Sequence, residues 1–254
     1  MFLFEPNPVA FSIFGQDIRW YGVFIATGML LGLIIAYLRA PRHGIAAERV
    51  IDLALVSIPI GIIGARLYYV IFNWEFYNGD FFKIINLRSG GLAIHGGLLF
   101  GIITAAIFCG LWKISPLNLL DLMVPSIALA QSLGRWGNFF NQEAHGGPTD
   151  LPWAILINGE KVHPTFLYES LWCLLLFFIL IFIDNRSTFI GRTFYAYVVL
   201  YSLERFFVEQ LRTDSLMIYG LRAAQIVSAA VFVIFLLIWV PKERRFGRKN
   251  RLFY

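Results

Sequence analysis

Only two of the 254 residues are cysteine, Cys109 and Cys173, and both lie inside long apolar runs. That excludes an extracellular disulfide framework and leaves no thiolate cluster for a metal. Charge is scarce as well. Asp, Glu, Lys and Arg make up 15% of the chain, against about 25% in an ordinary soluble domain. No Lys or Arg precedes Arg19, so the basic n-region of a cleaved secretory signal is missing and the first apolar segment is expected to stay. Internal repeats, low-complexity linkers and soluble-sized insertions are also missing, and the chain reads as a single polytopic membrane domain over 1–254.

What is present is apolar. Hydrophobic residues make up 58% of the sequence and the mean hydropathy is +0.68. Windows that fit the roughly 20 residues a helix needs to cross a bilayer fall near 21–38, 51–73, 91–112, 119–138, 165–183, 190–211 and 221–240. The expected fold is an all-α integral membrane protein, a bundle of about seven transmembrane helices. The fourth and sixth windows carry Asp121, Arg135, Arg205 and Glu209 and are the least regular as spans.

Loop charge predicts the orientation. One set of loops, with the tail at 241–254 ("PKERRFGRKNR"), holds twice as many Arg and Lys as the other, which places that set in the cytoplasm. An odd number of spans then puts the N-terminus outside. Residues 1–20 and 74–90 read as external amphipathic connectors. The largest external loop, 139–164, reads as a small extracytoplasmic cap whose "WAILINGEKVHP" turns as a hairpin at Asn158-Gly159, a dipeptide suited to positive φ.

With that orientation, polar side chains collect at one depth. Arg66, Arg135, Asn138, Arg205, Glu209 and Arg212 lie toward the outer ends of the spans running outward. The spans running inward begin there, with Tyr21, with His95, and with His163, Tyr168 and Glu169 of "HPTFLYE". An arginine in mid-span costs about 2.5 to 3.5 kcal/mol on insertion scales, so such residues need partners. Arg205, Glu209 and Arg212 stand at i, i+4 and i+7, on one helical face with Tyr201 a turn earlier. Glu209 neutralises only one arginine, and a phospholipid phosphate is the natural counter-ion for the rest.

Plainer readings stand beside these. Arg66 and Arg212 equally suit snorkelling or helix bracing. His95 alone suits a satisfied core histidine, Trp20 and Tyr21 an interfacial aromatic belt, and Gly96 and Gly97 close helix packing. Gly134, Gly137, Gly146 and Gly147 suggest a bend or an unwound segment lining a cavity.

The stretch "GRWGNFFNQEAHG" at 134–146 resembles the signature of the bacterial phosphatidylglycerol:prolipoprotein diacylglyceryl transferase family. "RWYG" at 19–22, "HGG" at 95–97, "HPTFLYE" at 163–169 and "RFFVEQLR" at 205–212 agree in the same order. After "HGGL" the family pattern often has glycine two positions on, where this chain has Phe100 and then Gly101. The resemblance implies an inner-membrane enzyme that moves the sn-1,2-diacylglyceryl group of phosphatidylglycerol to the lipobox cysteine of a preprolipoprotein. A thioether forms, sn-glycerol-1-phosphate leaves, and lipoprotein maturation begins.

The implied partners are phosphatidylglycerol, the preprolipoprotein signal peptide and membrane lipid, with no nucleic acid and no metal or organic cofactor. Carried over by position, Arg135 and Arg205 match the essential arginines, and Tyr21, His95, Asn138, Glu143, Gly146 and Glu209 match other functional positions. His95 is then the expected general base, and Arg212 joins the substrate-binding set. Two other classes remain: an anion transporter, and another headgroup transferase or phospholipase. The first should show repeats or a pathway through the inner half, where little stands beyond Asp52 and Asp121. The second should show a metal-binding carboxylate cluster or an activated serine.

Overall fold

The structure, a computed structural model, describes residues 6–87 and 90–251, with side chains described up to Phe246 in the last helix. Those parts of the expected N-terminal segment, connector and basic tail that fall on 1–5, 88–89 and 252–254 lie outside the described residues. In chain order the elements are β1 Val9–Ile13, β2 Gln16–Arg19, α1 Trp20–Arg39, a 3-10 turn Ala40–His43, α2 Ala47–Phe72, and the short α3 Trp74–Tyr77 and α4 Phe81–Ile85. There follow α5 Ile94–Trp112, α6 Pro116–Phe140, β3 Ile155–Ile157, β4 Glu160–Val162, α7 Thr165–Asn185, α8 Arg192–Glu209, β5 Met217–Ile218, β6 Leu221–Arg222 and α9 Ala223–Arg251.

Each of the seven expected spans is a helix. Six helices among the described residues, α1, α2, α5, α6, α7 and α9, are long and apolar enough to cross a membrane, and the chain is a multi-pass membrane protein. The remaining span is α8, 18 residues long. It falls short in apolarity because Arg192, Glu204, Arg205 and Glu209 sit on it. Among the described residues three two-stranded hairpins, β1-β2, β3-β4 and β5-β6, connect or precede the helices.

Two compact units divide these elements: one takes the chain up to Ile35 and again from Leu120, the other is Ala36–Leu119. In the first, α1 and α6 run antiparallel along a seam of small residues. A side chain at Gly28 would come within 3.1 Å of the Ala130 backbone, one at Gly32 within 3.3 Å of the Ser126 carbonyl, and one at Gly137 within 2.6 Å of the Tyr21 ring. Such close approach, rather than hydrophobic transfer, holds helices together where lipid is as apolar as leucine. It corrects the expected bend, because Gly134 and Gly137 lie within continuous α6 and serve that seam.

The core of this unit packs Val124 and Ala128 of α6 against Leu176 and Leu180 of α7 and Ala196 of α8. At one end Asp121 explains itself. Its carboxylate accepts the backbone N–H of Gly191 at 2.5 Å and of Phe194 at 2.8 Å, so an acid isolated in the sequence satisfies the open N-terminus of α8. At the other end the 139–164 loop folds as expected. β3 and β4 pair with Ile157 opposite Glu160, and Asn158 and Gly159 both take positive φ, 51° and 81°, as a type I′ turn requires. Ile155, Ile157 and Val162 of this hairpin bury against Phe139 and Phe166.

In the second unit α2 packs on α5, with Gly97 against the Gly61 carbonyl and Ala65. Phe100 occupies the space a side chain at Gly64 would need, so the departure from the family pattern is matched by a glycine on the facing helix. Of the readings open to Arg66, the structure takes bracing, not a phosphate or headgroup partner. It is 4% exposed, and its guanidinium donates to the carbonyls of Ile84, Lys83, Gly90 and Gly91 at 2.6–3.0 Å, over the Tyr77 ring. It braces the connector between α2 and α5.

Replacing Arg66 with Met leaves four carbonyls without their donor. It is expected to cost about 2–3 kcal/mol and to speed tryptic cleavage at Lys83, read by thermal unfolding in detergent and by timed proteolysis.

Candidate functional site

One carboxylate gathers the arginines. Glu169, in the second turn of α7, is 1% exposed. One of its oxygens pairs with Arg135 of α6; the other faces Nη1 of Arg205 at 3.5 Å and Nη1 of Arg212 at 3.3 Å. Arg205 pairs also with Glu209 one turn on, at 2.5 Å, and Glu209 is 2% exposed. Arg212 holds Asp214 through two parallel contacts, Nε to Oδ1 at 2.9 Å and Nη2 to Oδ2 at 2.6 Å. Three guanidinium groups thus meet three carboxylates. The sequence counted only Glu209 against them; Glu169 and Asp214 supply the balance it assigned to a lipid phosphate.

Arg212 reaches this cluster by a route that helical periodicity does not describe. Helix α8 ends at Glu209, and the chain leaves it in a turn, with Leu211 N bonded to Val208 O and Arg212 N to Glu209 O. The segment is then gripped by the loop after α6. Gly147 N donates to Leu211 O at 2.9 Å, Gly146 and Arg212 form a β-bridge, and Gly146 N donates to His163 O at 2.9 Å. A side chain at Gly146 would lie 2.6 Å from the His163 Cβ and 2.9 Å from the Leu211 carbonyl. Glycine is therefore required by close approach, and Gly146 acts on the cluster by placing Arg212. The hydroxyl of Thr165 donates to Ala144 O at 2.6 Å, tying the same loop to the start of α7.

Asn138 and Glu143 meet across the turn that ends α6: the Asn138 amide donates to Glu143 Oε1 at 2.9 Å, beside Asn141 at 3.4 Å. Tyr21 stands against Gly137 on the α1-α6 seam and is 38% exposed. Tyr201 stacks on Tyr197, whose hydroxyl donates to Gln131 at 3.0 Å. Tyr168 accepts the indole N–H of Trp153 at 2.8 Å, with His163 at 3.5 Å, and so fastens the cap to α7. Glu204, one residue before Arg205, is 6% exposed and has no hydrogen-bond or ion-pair partner among the described residues.

All the expected site residues but His95 fall in the first unit. His95 belongs to the second, in the first turn of α5, where its ring lies 6.0 Å from that of Tyr68. It is exposed in that unit, which corrects the reading of a buried core histidine. Among the described residues, no group of three or more His, Cys, Asp or Glu forms a set that could hold a metal ion.

Sequence reasoning underrated Glu169 and missed Asp214, and the first of these carried a signal. An acid inside an apolar helix needs a cation as surely as an arginine needs an anion, and Glu169 stands in such a helix. The cluster can present anions with two guanidinium groups, those of Arg135 and Arg205, each with 21% of its side chain exposed, in front of buried counter-charge. That arrangement holds cations fixed without leaving them bare.

Residues 8–241 match the profile of the family described as Prolipoprotein diacylglyceryl transferase. A protein of Clostridioides difficile (strain 630) is 50% identical over 220 residues, spanning 87% of this chain and 89% of its own. One of Finegoldia magna (strain ATCC 29328 / DSM 20472 / WAL 2508) is 47% identical over 238 residues, 93% of this chain and 96% of its own. One of Geobacillus kaustophilus (strain HTA426) is 45% identical over 247 residues, 92% of each. All three bear the name phosphatidylglycerol–prolipoprotein diacylglyceryl transferase.

Two outcomes follow from the ion pairs. Glu169→Gln leaves Arg135 without its carboxylate and takes one of two from Arg205 and from Arg212, and is expected to destabilise the protein by about 3–5 kcal/mol, measured as the change in thermal or denaturant unfolding in detergent. The hydrogen bond from Arg212 holds the Asp214 carboxyl below the ordinary aspartate range. Its contribution is complete above the unfolded value near 3.8 and is lost only as pH falls through the lower folded value. Carboxyl-carbon NMR of aspartate-labelled protein, assigned with Asp214→Asn, should show one aspartate titrating at lower pH than its fellows, and Arg212→Met should return it to them.

Proposed function

The chain belongs to the prolipoprotein diacylglyceryl transferase family, and on that footing we propose that it moves the sn-1,2-diacylglyceryl group of phosphatidylglycerol onto the lipobox cysteine of a preprolipoprotein. It is a transferase, and the reaction is the first step of lipoprotein maturation. The cysteine sulfur attacks the glycerol carbon that bears the phosphate, the C–O bond breaks, and sn-glycerol-1-phosphate leaves. The thiol proton passes to a base. The observation that carries the assignment of residues is the convergence of Arg135, Arg205 and Arg212 on buried Glu169.

Charge develops on the departing phosphate as the C–O bond stretches. Cations fixed beside that phosphate stabilise the transition state more than the bound lipid, which is the condition for acceleration. Arg135 and Arg205 take this role, and Arg212 binds the same headgroup. Glu169 and Glu209 hold the guanidinium groups in place, so little reorganisation is left for the moment of reaction. Asn138 and Glu143, already joined to each other, and Tyr21 orient headgroup or signal peptide by hydrogen bonding. A free cysteine thiol has a pKa near ~8.5, so about a few per cent is thiolate at neutral pH. His95, exposed at the start of α5, is the base that removes the proton.

The orientation that loop charge supports puts the N-terminus outside, the basic tail in the cytoplasm and the site toward the outer leaflet of the bacterial inner membrane. Both substrates then arrive in the membrane plane. The whole chain works as one polytopic membrane domain in this reading.

Purified protein in detergent, given phosphatidylglycerol and a lipobox peptide with one cysteine, should release glycerol phosphate and add a diacylglyceryl mass to the peptide. Arg135→Ala and Arg205→Ala are each expected to lower turnover by at least about 100-fold. Lipid breakdown without a peptide adduct would instead identify a phospholipase, and near-normal turnover in folded His95→Gln would remove His95 from the mechanism.

A further inference from the structure

We propose that Asp214 is a built-in stand-in for the substrate phosphate, occupying the fork of Arg212 between turnovers and yielding it when the lipid headgroup arrives. The proposal rests on the assignment of this cluster to headgroup binding. Two parallel contacts, Nε to Oδ1 at 2.9 Å and Nη2 to Oδ2 at 2.6 Å, are the geometry in which guanidinium also takes two oxygens of a phosphate. Asp214 therefore fills an anion seat of the right shape.

Charge balance says why it must yield. Three guanidinium groups already meet three carboxylates, and an arriving phosphodiester adds a fourth negative charge at the edge of the membrane. The set stays balanced if one carboxylate leaves. Glu169 and Glu209 are held on α7 and α8 with side chains 2% and 3% exposed, whereas the Asp214 side chain is 50% exposed. It alone reaches water without moving a helix.

The backbone around it is held in place. Up to Arg212 the chain is pinned by the Gly146 bridge, by Gly147 N to Leu211 O, and by Arg222, which donates to Gln210 O at 2.6 Å and Arg212 O at 3.4 Å. Asp214 stands between tied neighbours, Thr213 whose hydroxyl donates to His145 O at 3.4 Å and Leu216 whose carbonyl accepts Ala223 N at 2.9 Å, so only its half-exposed side chain has to turn toward water. Arg212 can thus stay in place while its aspartate lets go. Asp214 is a positioning residue that acts through Arg212, and it trades lipid affinity for product release, since the same carboxylate reclaims the fork from glycerol phosphate.

The test compares Asp214→Asn and Asp214→Glu with the wild type in two measurements. In the first, KM for phosphatidylglycerol and inhibition by added sn-glycerol-1-phosphate are measured in the peptide assay. Asp214→Asn should lower both KM and the inhibitory concentration by about two- to fivefold, the worth of a half-exposed pair, without raising kcat; Asp214→Glu, which keeps the carboxylate, should stay near wild type. In the second, thermal stabilisation by sn-glycerol-1-phosphate alone is titrated, which needs no turnover. The asparagine variant should reach half-effect at correspondingly lower concentration. An unchanged or higher KM and half-effect concentration in Asp214→Asn, or the same shifts in Asp214→Glu, would overturn the proposal. Absence of transfer by folded wild type would count against the transferase assignment instead, and the titration would then judge the anion seat by itself.

Discussion

The ion set around Glu169 is the constraint on which the first unit depends. One carboxylate on α7 is shared by arginines from α6, from α8 and from the turn beyond α8. None of these charges is stable alone at membrane depth, and a buried pair broken from one side leaves its partner uncompensated. The helices bearing them are therefore bound to one another by electrostatics where lipid offers no hydrophobic incentive to associate. The proposed function and the fold use the same groups: the cations assigned to the lipid phosphate are also the ties between helices.

Around that set, smaller features act as fixtures. The α1-α6 seam brings Tyr21 beside the last turns of α6, because only glycine at 137 lets the ring come so near. Bridges from Gly146 and Gly147 to the strand-like exit of α8 set the height of Arg212. The cap hairpin closes a hydrophobic cluster over Phe139 and Phe166, so the loop that carries Gly146 is anchored at both ends. Each fixture is local, yet each decides where a charged side chain stands.

Much of this was legible in the sequence, and for identifiable reasons. Apolar windows and period give helices in all seven expected places, and Asn158-Gly159 announces its turn because few dipeptides accept two positive φ values. The grouping of Arg135, Arg205 and Glu209 follows from loop charge and helical spacing together, whereas Arg212 joins them from the turn beyond α8. What was hidden depends on partners far away in the chain. Arg66 looks like the other arginines until the carbonyls of 83–91 are seen around it. Asp121 looks like an intruder until α8 begins on it. Gly134 and Gly137 look like breakers because a glycine that opens a turn and one that admits a neighbouring helix are the same letter. Glu169 was visible, but spacing within one helix does not reveal that three arginines from elsewhere converge on it.

The bracing of Arg66 also bears on how the protein is made. Its four acceptors lie 17 to 25 residues downstream, so the span is synthesised before any of them. At about 5–20 residues per second, roughly one to five seconds pass before the last is synthesised. Until the connector itself has emerged and folded back, a cation belonging to the span has only water, lipid phosphate or the insertion machinery to satisfy it. The connector between α2 and α5 is thus a late-arriving solvent for a residue already placed, and the order of synthesis is written into which helix carries the charge and which loop carries the carbonyls.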